Sequence, residues 1–160
     1  MVIFMKNKMI KIYTDGAAKG NPGNAGWGVV FLMGDKVFEL GGRAEHATNN
    51  QMELTAPIEA LKYLKSKMSK TVFDIEIISD SKYVILGITE WIFNWQKNNW
   101  RNAAKKPVLN RELWEELYKL TQDFKIKWTY VKGHNGNKYN EKADEIATSF
   151  ADDNHIELKK

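Results

Sequence analysis

Apolar and polar positions alternate first over residues 10–14. Ile10, Ile12 and Thr14 alternate with Lys11 and Tyr13, the period-2 pattern of a strand rich in β-branched residues. Asp15-Gly16 is expected to end that strand on a carboxylate, and Gly20, Pro22 and Gly23 mark a turn-rich loop. Residues 27–32 and 37–42 read as two more strands, with Gly34-Asp35 as the tight turn of a hairpin. Together the three strands form an antiparallel meander. From about residue 50 to 68 the period lengthens to that of a helix: Leu54, Ile58, Leu61 and Leu64 share one arc, and Glu59, Lys62 and Ser66 lie outside it. Residues 73–79 return to a strand, and a second helix begins near Ser81. Residues 91–111 are rich in Trp and Lys and less regular. Residues 110–122 form an amphipathic helix with Leu113, Leu117 and Leu120 on one face. A fifth strand covers 126–131, a Gly/Asn loop 132–140, and a last helix 141–150; the polar tail from Ala151 is expected to fray. Three strands followed by helix–strand alternation predict an α/β fold, a mixed sheet with helices packed on it. Residues 1–152 are expected to form one domain, with 153–160 as a polar C-terminal tail.

Composition narrows the class. At 160 residues, 43% hydrophobic and 28% charged, the chain can bury a core as a single globular domain. It contains no cysteine, which excludes disulfides and thiolate metal sites. No apolar run approaches the ~20 residues of a membrane span, and the first residues carry no secretory cleavage pattern, so a cytoplasmic protein is expected. The net charge of +4 hints at a polyanionic partner.

Four carboxylates then need explaining. Asp15 stands at the mouth of an apolar strand, costly for a charge unless a cation or donor meets it; a bland role as turn former beside Gly16 is the alternative. Glu53 can be the N3 acid of a capping box with Asn50. It also falls at the edge of the apolar arc, toward the sheet, which a cap does not require. Pro57, four residues on, cannot donate to the Glu53 carbonyl, so a kink or a freed carbonyl is expected there. Asp80 repeats the first case at the end of another apolar strand, where α/β sheets gather ligands, although it or Ser81 could simply cap the next helix. Asp144 borders the stripe of Ala143, Ile146, Ala147 and Phe150, downstream of a loop carrying His134 between Gly133 and Gly136. Each acid alone has an ordinary structural explanation. Together in one pocket they would repel each other and raise their own pKa values. Divalent cations remove that conflict, and hard oxygen ligands favour Mg²⁺ or Mn²⁺ over zinc. Such a cluster can hold two ions ~3.5–4 Å apart, an arrangement suited to phosphodiester chemistry.

Six stretches in order give these acids a context: TDGAAKGNPGNAGWG from Thr14, TNNQMEL from Thr48, SDSKYV from Ser79, GITEWIFNW from Gly87, KKPVLNRELW from Lys105 and IKWTYVKGHNGNKYNEKADEIA from Ile126. The chain resembles the bacterial type 1 ribonuclease H family over nearly its whole length. The resemblance implies a five-stranded mixed sheet, antiparallel meander then parallel strands, with helices on both faces. It implies a monomer that cuts the RNA strand of RNA–DNA hybrids internally, using Mg²⁺ with Mn²⁺ as a possible substitute and two ions when substrate is bound. The products would carry 5′-phosphate and 3′-hydroxyl ends. Position by position, Asp15, Glu53, Asp80 and Asp144 match the family's metal-binding acids, and His134 its mobile loop histidine. Gly16, Asn21, Thr48, Asn49, Asn50 and Asn140 fall on its substrate-contacting motifs.

Residues 91–111 contain no acid. Lys97, Arg101, Lys105, Lys106 and Arg111 are interleaved with Trp91, Trp95 and Trp100. The tryptophans could be core, Trp91 and Trp95 in particular, but basic groups among aromatics also suit a phosphate-tracking surface. The resemblance supports the second reading, because the family carries a basic protrusion here that grips the DNA strand. Lys82 stands where some members have a neutral amide, which adds a cation near the strand to be cut.

Overall fold

The first strand does not stop at Asp15. In the computed structural model, which describes residues 9–67, 74–133 and 135–160, β1 runs Met9–Ala18 and pairs with two neighbours over different lengths. The antiparallel ladder to β2 (Gly23–Met33) continues from Lys11↔Leu32 to Ala18↔Ala25. The parallel ladder to β4 (Asp74–Ser79) ends at Thr14↔Ser79. Asp15-Gly16 therefore ends one pairing and not the strand, because β2 still supplies backbone partners beyond it. β3 (Lys36–Ala47) completes the hairpin across Gly34, whose φ of 61° suits the turn. β5 (Lys125–Tyr130) pairs parallel with β4, and the sheet order is β3-β2-β1-β4-β5.

Side-chain alternation along the strands builds two apolar layers. On one face Ile10, Ile12, Val29, Phe31, Ile75 and Ile77 pack with Leu54, Ile58, Leu61 and Leu64 of α1 (Asn49–Lys67) and Trp114 and Leu117 of α4 (Arg111–Thr121). On the other, Tyr13, Val30 and Ile78 meet Ala143 and Ile146 of α5 (Lys138–Ala151). Burying these side chains contributes about 1.5–3 kcal/mol each for the larger aliphatics. Helices thus cover both faces, as expected. Between β4 and α4 the chain forms α2 (Lys82–Leu86), a π-helical turn (Gly87–Trp91) and α3 (Ile92–Lys97) in unbroken succession.

Several boundaries differ from the expectations. α1 starts one residue early, and Thr48 rather than Asn50 caps it: Gln51 N donates to Thr48 Oγ1 at 3.1 Å and Thr48 N to Gln51 Oε1 at 2.9 Å. This reciprocal pair is a capping box. The helix runs unbroken through the buried Pro57. Its expected last residue, Met68, and the expected first residue of the next strand, Phe73, lie outside the described residues. α5 begins at Lys138 because Asn137 caps it, accepting from Tyr139 N and Asn140 N, so Asn140 is helical and buried instead of lying in the loop. The tail does not fray. Ile156 and Leu158 pack beside Val37 and Phe150, Glu39 N donates to Lys159 O at 2.8 Å, and Lys159 N donates to the buried Glu39 carboxylate at 2.8 Å.

Candidate active site

The β1–β4 register brings two acids together. Thr14 and Ser79 are the last paired residues, and Asp15 and Asp80 each follow one of them. Two neighbouring parallel strands thus deliver a carboxylate at the same height, at their carboxyl ends. Gly16 brings in the third. A Cβ at this position would stand 2.5 Å from Glu53 N and 2.7 Å from Met52 Cβ, so only a glycine lets β1 press against the first turns of α1. Its backbone N–H then donates to Asp15 Oδ1 at 2.8 Å and to Glu53 Oε1 at 2.6 Å. With Gln51 taking the capping role, Glu53 is free to turn toward β1. One oxygen from each of Asp15, Glu53 and Asp80 lies within 4.8 Å of the others.

Asp144 arrives from the opposite face. Asp15 pairs with Gly28 across the β1–β2 ladder, and a Cβ at Gly28 would collide with the carbonyl of Ala143. The missing side chain lets α5 settle onto the sheet beside Asp15, and Asp144 is the next residue. The four acids line one open cleft of about 310 Å³ with Gly16, Asn49, Ser81 and Gly133. Asp144 forms its wall, half-buried, while the tight cluster is the other three. Asn21 Oδ1 accepts from Asn49 N at 3.0 Å, which ties the glycine loop to the start of α1 beside the cleft. Asn50 is exposed on the next position of the same turn. His134 lies outside the described residues.

Asp15 and Glu53 are 4% exposed, and both carboxyls are pushed well above the usual carboxylate range. Burial is the largest cause for each. For Asp15 the hydrogen bond and charge of Glu53 add to it, then the charge of Asp80. For Glu53, Asp80 raises the value, while hydrogen bonds from Asp15, Gly16 and Ser81 oppose the rise. Both values rise because two charges side by side in this buried place are poorly solvated and repel each other. Glu53 Oε2 is buried and receives no hydrogen bond. A divalent cation fits this set: all-oxygen hard donors, close together, with an unmet acceptor among them.

The basic segment has a different construction. Trp100, expected on the substrate surface, is 9% exposed and belongs to the core. Its ring lies 6.1 Å from Trp95, which meets the fully buried Trp114 edge-on at 5.3 Å, and the Arg111 guanidinium covers it at 5.2 Å. Of the segment's tryptophans the exposed one is Trp91, at 37%, with Trp95 half-buried 6.0 Å away. No apolar periodicity in 91–111 distinguishes these cases. Beyond Trp100 the chain makes a short bridged loop. Asn102 Oδ1 accepts from Ala104 N and Lys106 N at 3.0 Å each, and Arg101 Nη1 donates to Lys105 O at 2.9 Å. Lys97, Arg101, Lys105 and Lys106 are all exposed. Gln51 Nε2 donates to Asn110 Oδ1 at 3.3 Å, joining the end of this segment to the first turn of α1.

A mixed α/β sheet gathers carboxylates where the β1–β4 pairing ends, an all-oxygen set that could hold a metal ion, and the same chain exposes a cation-rich loop suited to a polyanion. The RNase H family model matches residues 7–152, and the chain belongs to that family. It is 48% identical over 147 residues to the Ribonuclease H of Francisella philomiragia, covering 92% of this chain and 93% of that one. Among solved structures it superposes on LC9-RNase H1, a type 1 RNase H with the type 2 active-site motif, with a TM-score of 0.80 at 25% identity, covering 92% and 74% of the two chains. It also matches LC11-RNase H1, solved in complex with an RNA/DNA hybrid, with a TM-score of 0.72 at 25% identity over 90% and 97%.

Proposed function

We propose that this protein hydrolyses the RNA strand of RNA–DNA hybrids internally, and that Asp15, Glu53, Asp80 and Asp144 hold the divalent ions this requires. The observation that carries the reading is the close trio of the buried Asp15 and Glu53 and the half-buried Asp80, with one Glu53 oxygen left without a hydrogen-bond partner. Mg²⁺ is the expected metal, with Mn²⁺ able to replace it, and two ions are expected with substrate. When bound, such ions make a water nucleophilic at neutral pH and neutralise the departing 3′ oxygen, leaving 5′-phosphate and 3′-hydroxyl ends.

The chain's own residues supply position and charge. The Gly16 N–H fixes one oxygen each of Asp15 and Glu53 and leaves the others for ligation. Asn49, its backbone held by Asn21, lines the cleft where a minor-groove 2′-hydroxyl would lie. Asn21, Thr48, Asn50 and Asn140 remain assigned to substrate contact through the family motifs. Thr48 would act mainly by capping the helix that carries Glu53. His134 is assigned to proton transfer or product release by the same route. Trp91 and the exposed Lys97, Arg101, Lys105 and Lys106 would track phosphates of the other strand.

The test is cleavage of an end-labelled RNA–DNA hybrid with Mg²⁺ beside matched RNA–RNA and DNA–DNA duplexes. Internal cuts confined to the hybrid's RNA strand are expected. Binding without cutting would make the protein a hybrid-binding module. Cutting of DNA–DNA would make it another nuclease of the same fold.

A further inference from the structure

Strand alternation places an aromatic ring beside Ser79, the residue that precedes Asp80. Ile126 and Trp128 point into the layer beneath α1, so two residues on, Tyr130 emerges on the same face at the last position of β5, where that layer gives way to water. Tyr130 is 41% exposed. It pairs in register with Ser79, the residue before Asp80, and Val131 N donates to Ser79 O at 3.0 Å. The strand end is therefore fixed relative to the acid cluster. Two residues after Asp80, the exposed Lys82 lays its ammonium over the Tyr130 ring, 5.4 Å from its centroid. A free lysine spreads its charge over many rotamers, whereas an aromatic face narrows that spread while the ammonium stays hydrated. The ring thus holds a cation one residue beyond Ser81, which lines the cleft together with Asp80.

We propose that Lys82 contacts a backbone phosphate of the strand being cut, next to the scissile one, and that Tyr130 is the positioning residue that holds its ammonium there. This rests on the hybrid-cleaving reading above and deepens it. A strand approaching Asp80 brings phosphates toward a carboxylate cluster, and a cation two residues away offsets the repulsion at the closest point.

One ionic phosphate contact has a defined signature. Its loss lowers the slope of log affinity against log salt by about one and weakens binding by up to about eightfold near 0.1 M salt, equally for all sequences. Steady-state cleavage by the wild type, Lys82→Gln, Tyr130→Leu, Tyr130→Phe and the Lys82→Gln/Tyr130→Leu double variant should be measured over a KCl series at fixed Mg²⁺. Lys82→Gln is expected to raise KM by about fivefold to eightfold, flatten its salt dependence by one unit and leave kcat within about twofold. Tyr130→Leu should reproduce part of the KM rise, Tyr130→Phe, which keeps the ring face, should restore wild-type KM, and the double variant should be no worse than Lys82→Gln. A neutral methylphosphonate beside the scissile phosphate in the RNA strand should erase the difference between wild type and Lys82→Gln. An unchanged salt slope in Lys82→Gln, additive effects in the double variant, or erasure by methylphosphonate in the DNA strand instead would overturn the proposal. Those outcomes require a wild type that cleaves hybrids, so they differ from failure of the functional reading, in which the wild type does not.

Discussion

The acid cleft and the basic loop both concentrate like charge, and the fold treats them in opposite ways. The acids are buried or half-buried, three of them are brought within a few ångströms by glycine contacts that leave no room for side chains, and one Glu53 oxygen is left without a donor. The cations Lys97, Arg101, Lys105 and Lys106 are exposed, spread along one segment, and carried on a root of tryptophans packed tilted and edge-on. Burial makes charge strong and specific for one small ion. Exposure makes it weak per contact, additive over phosphates and sensitive to salt. The difference teaches which substitutions should alter rate and which should alter affinity.

The largest expected effect is at Asp15. Asp15→Asn removes a ligand from the cluster and should lower kcat by about a thousandfold or more, with circular dichroism unchanged. A variant that kept a tenth of the activity would show that the trio of Asp15, Glu53 and Asp80 is not the reacting centre. Next is the loop: reversing Lys97, Lys105 and Lys106 to Glu should raise KM by about a hundredfold at moderate salt while kcat falls only a few-fold. Equal KM values would remove the loop from substrate binding. Gly16→Ala comes third. Its Cβ must push β1 away from α1, costing about 1–3 kcal/mol in denaturant melts. Activity should fall beyond what the lost folded fraction explains, because Glu53 moves with the helix.

The smallest effect is a pH dependence confined to the acid side of the comparison. Asp15 and Glu53 have folded pKa values above their unfolded ones, so over that interval the native state binds more protons than the unfolded chain. Their contribution to stability is complete below the ordinary carboxylate value near ~4 and is lost as pH rises through the raised folded values. Metal-free protein should lose up to about 1.4 kcal/mol per pH unit for each such proton. Melts in chelator from pH 5 to 8 should show this decline in the wild type and a shallower one in Asp15→Asn. A decline of equal steepness in both would place its origin elsewhere.

Much of this was legible in the sequence, for identifiable reasons. Period-2 alternation located the strands, and the carboxylates stood out because apolar strands give way to them at Asp15 and Asp80. What escaped had no local signal. TNNQMEL offers two overlapping boxes, Thr48–Gln51 and Asn50–Glu53, and only the tertiary contact through Gly16 decides that Glu53 faces the sheet. The end of β1 was misjudged because Asp-Gly is a turn signal that β2's continuing ladder overrides. Trp100 and Trp91 look alike in sequence, and tertiary packing alone decides which is buried: Trp100 joins the core cluster that holds Trp114 of α4. The tail reads as polar, yet Ile156 and Leu158 find an apolar strip made by β3 and α5, beside the Glu39 acceptor.

The central claim is that the crowded acids are a cation site held at a cost to the metal-free fold. Thermal melts of the wild type and Asp15→Asn, each in chelator and in millimolar Mg²⁺ at pH 8, test it most directly. The account predicts that Asp15→Asn melts higher than the wild type in chelator, by about 2–4 °C for each kcal/mol of relieved repulsion, and that Mg²⁺ raises the wild type and leaves the variant nearly unmoved. A variant that melts lower in chelator, or equal Mg²⁺ shifts in both proteins, would contradict it.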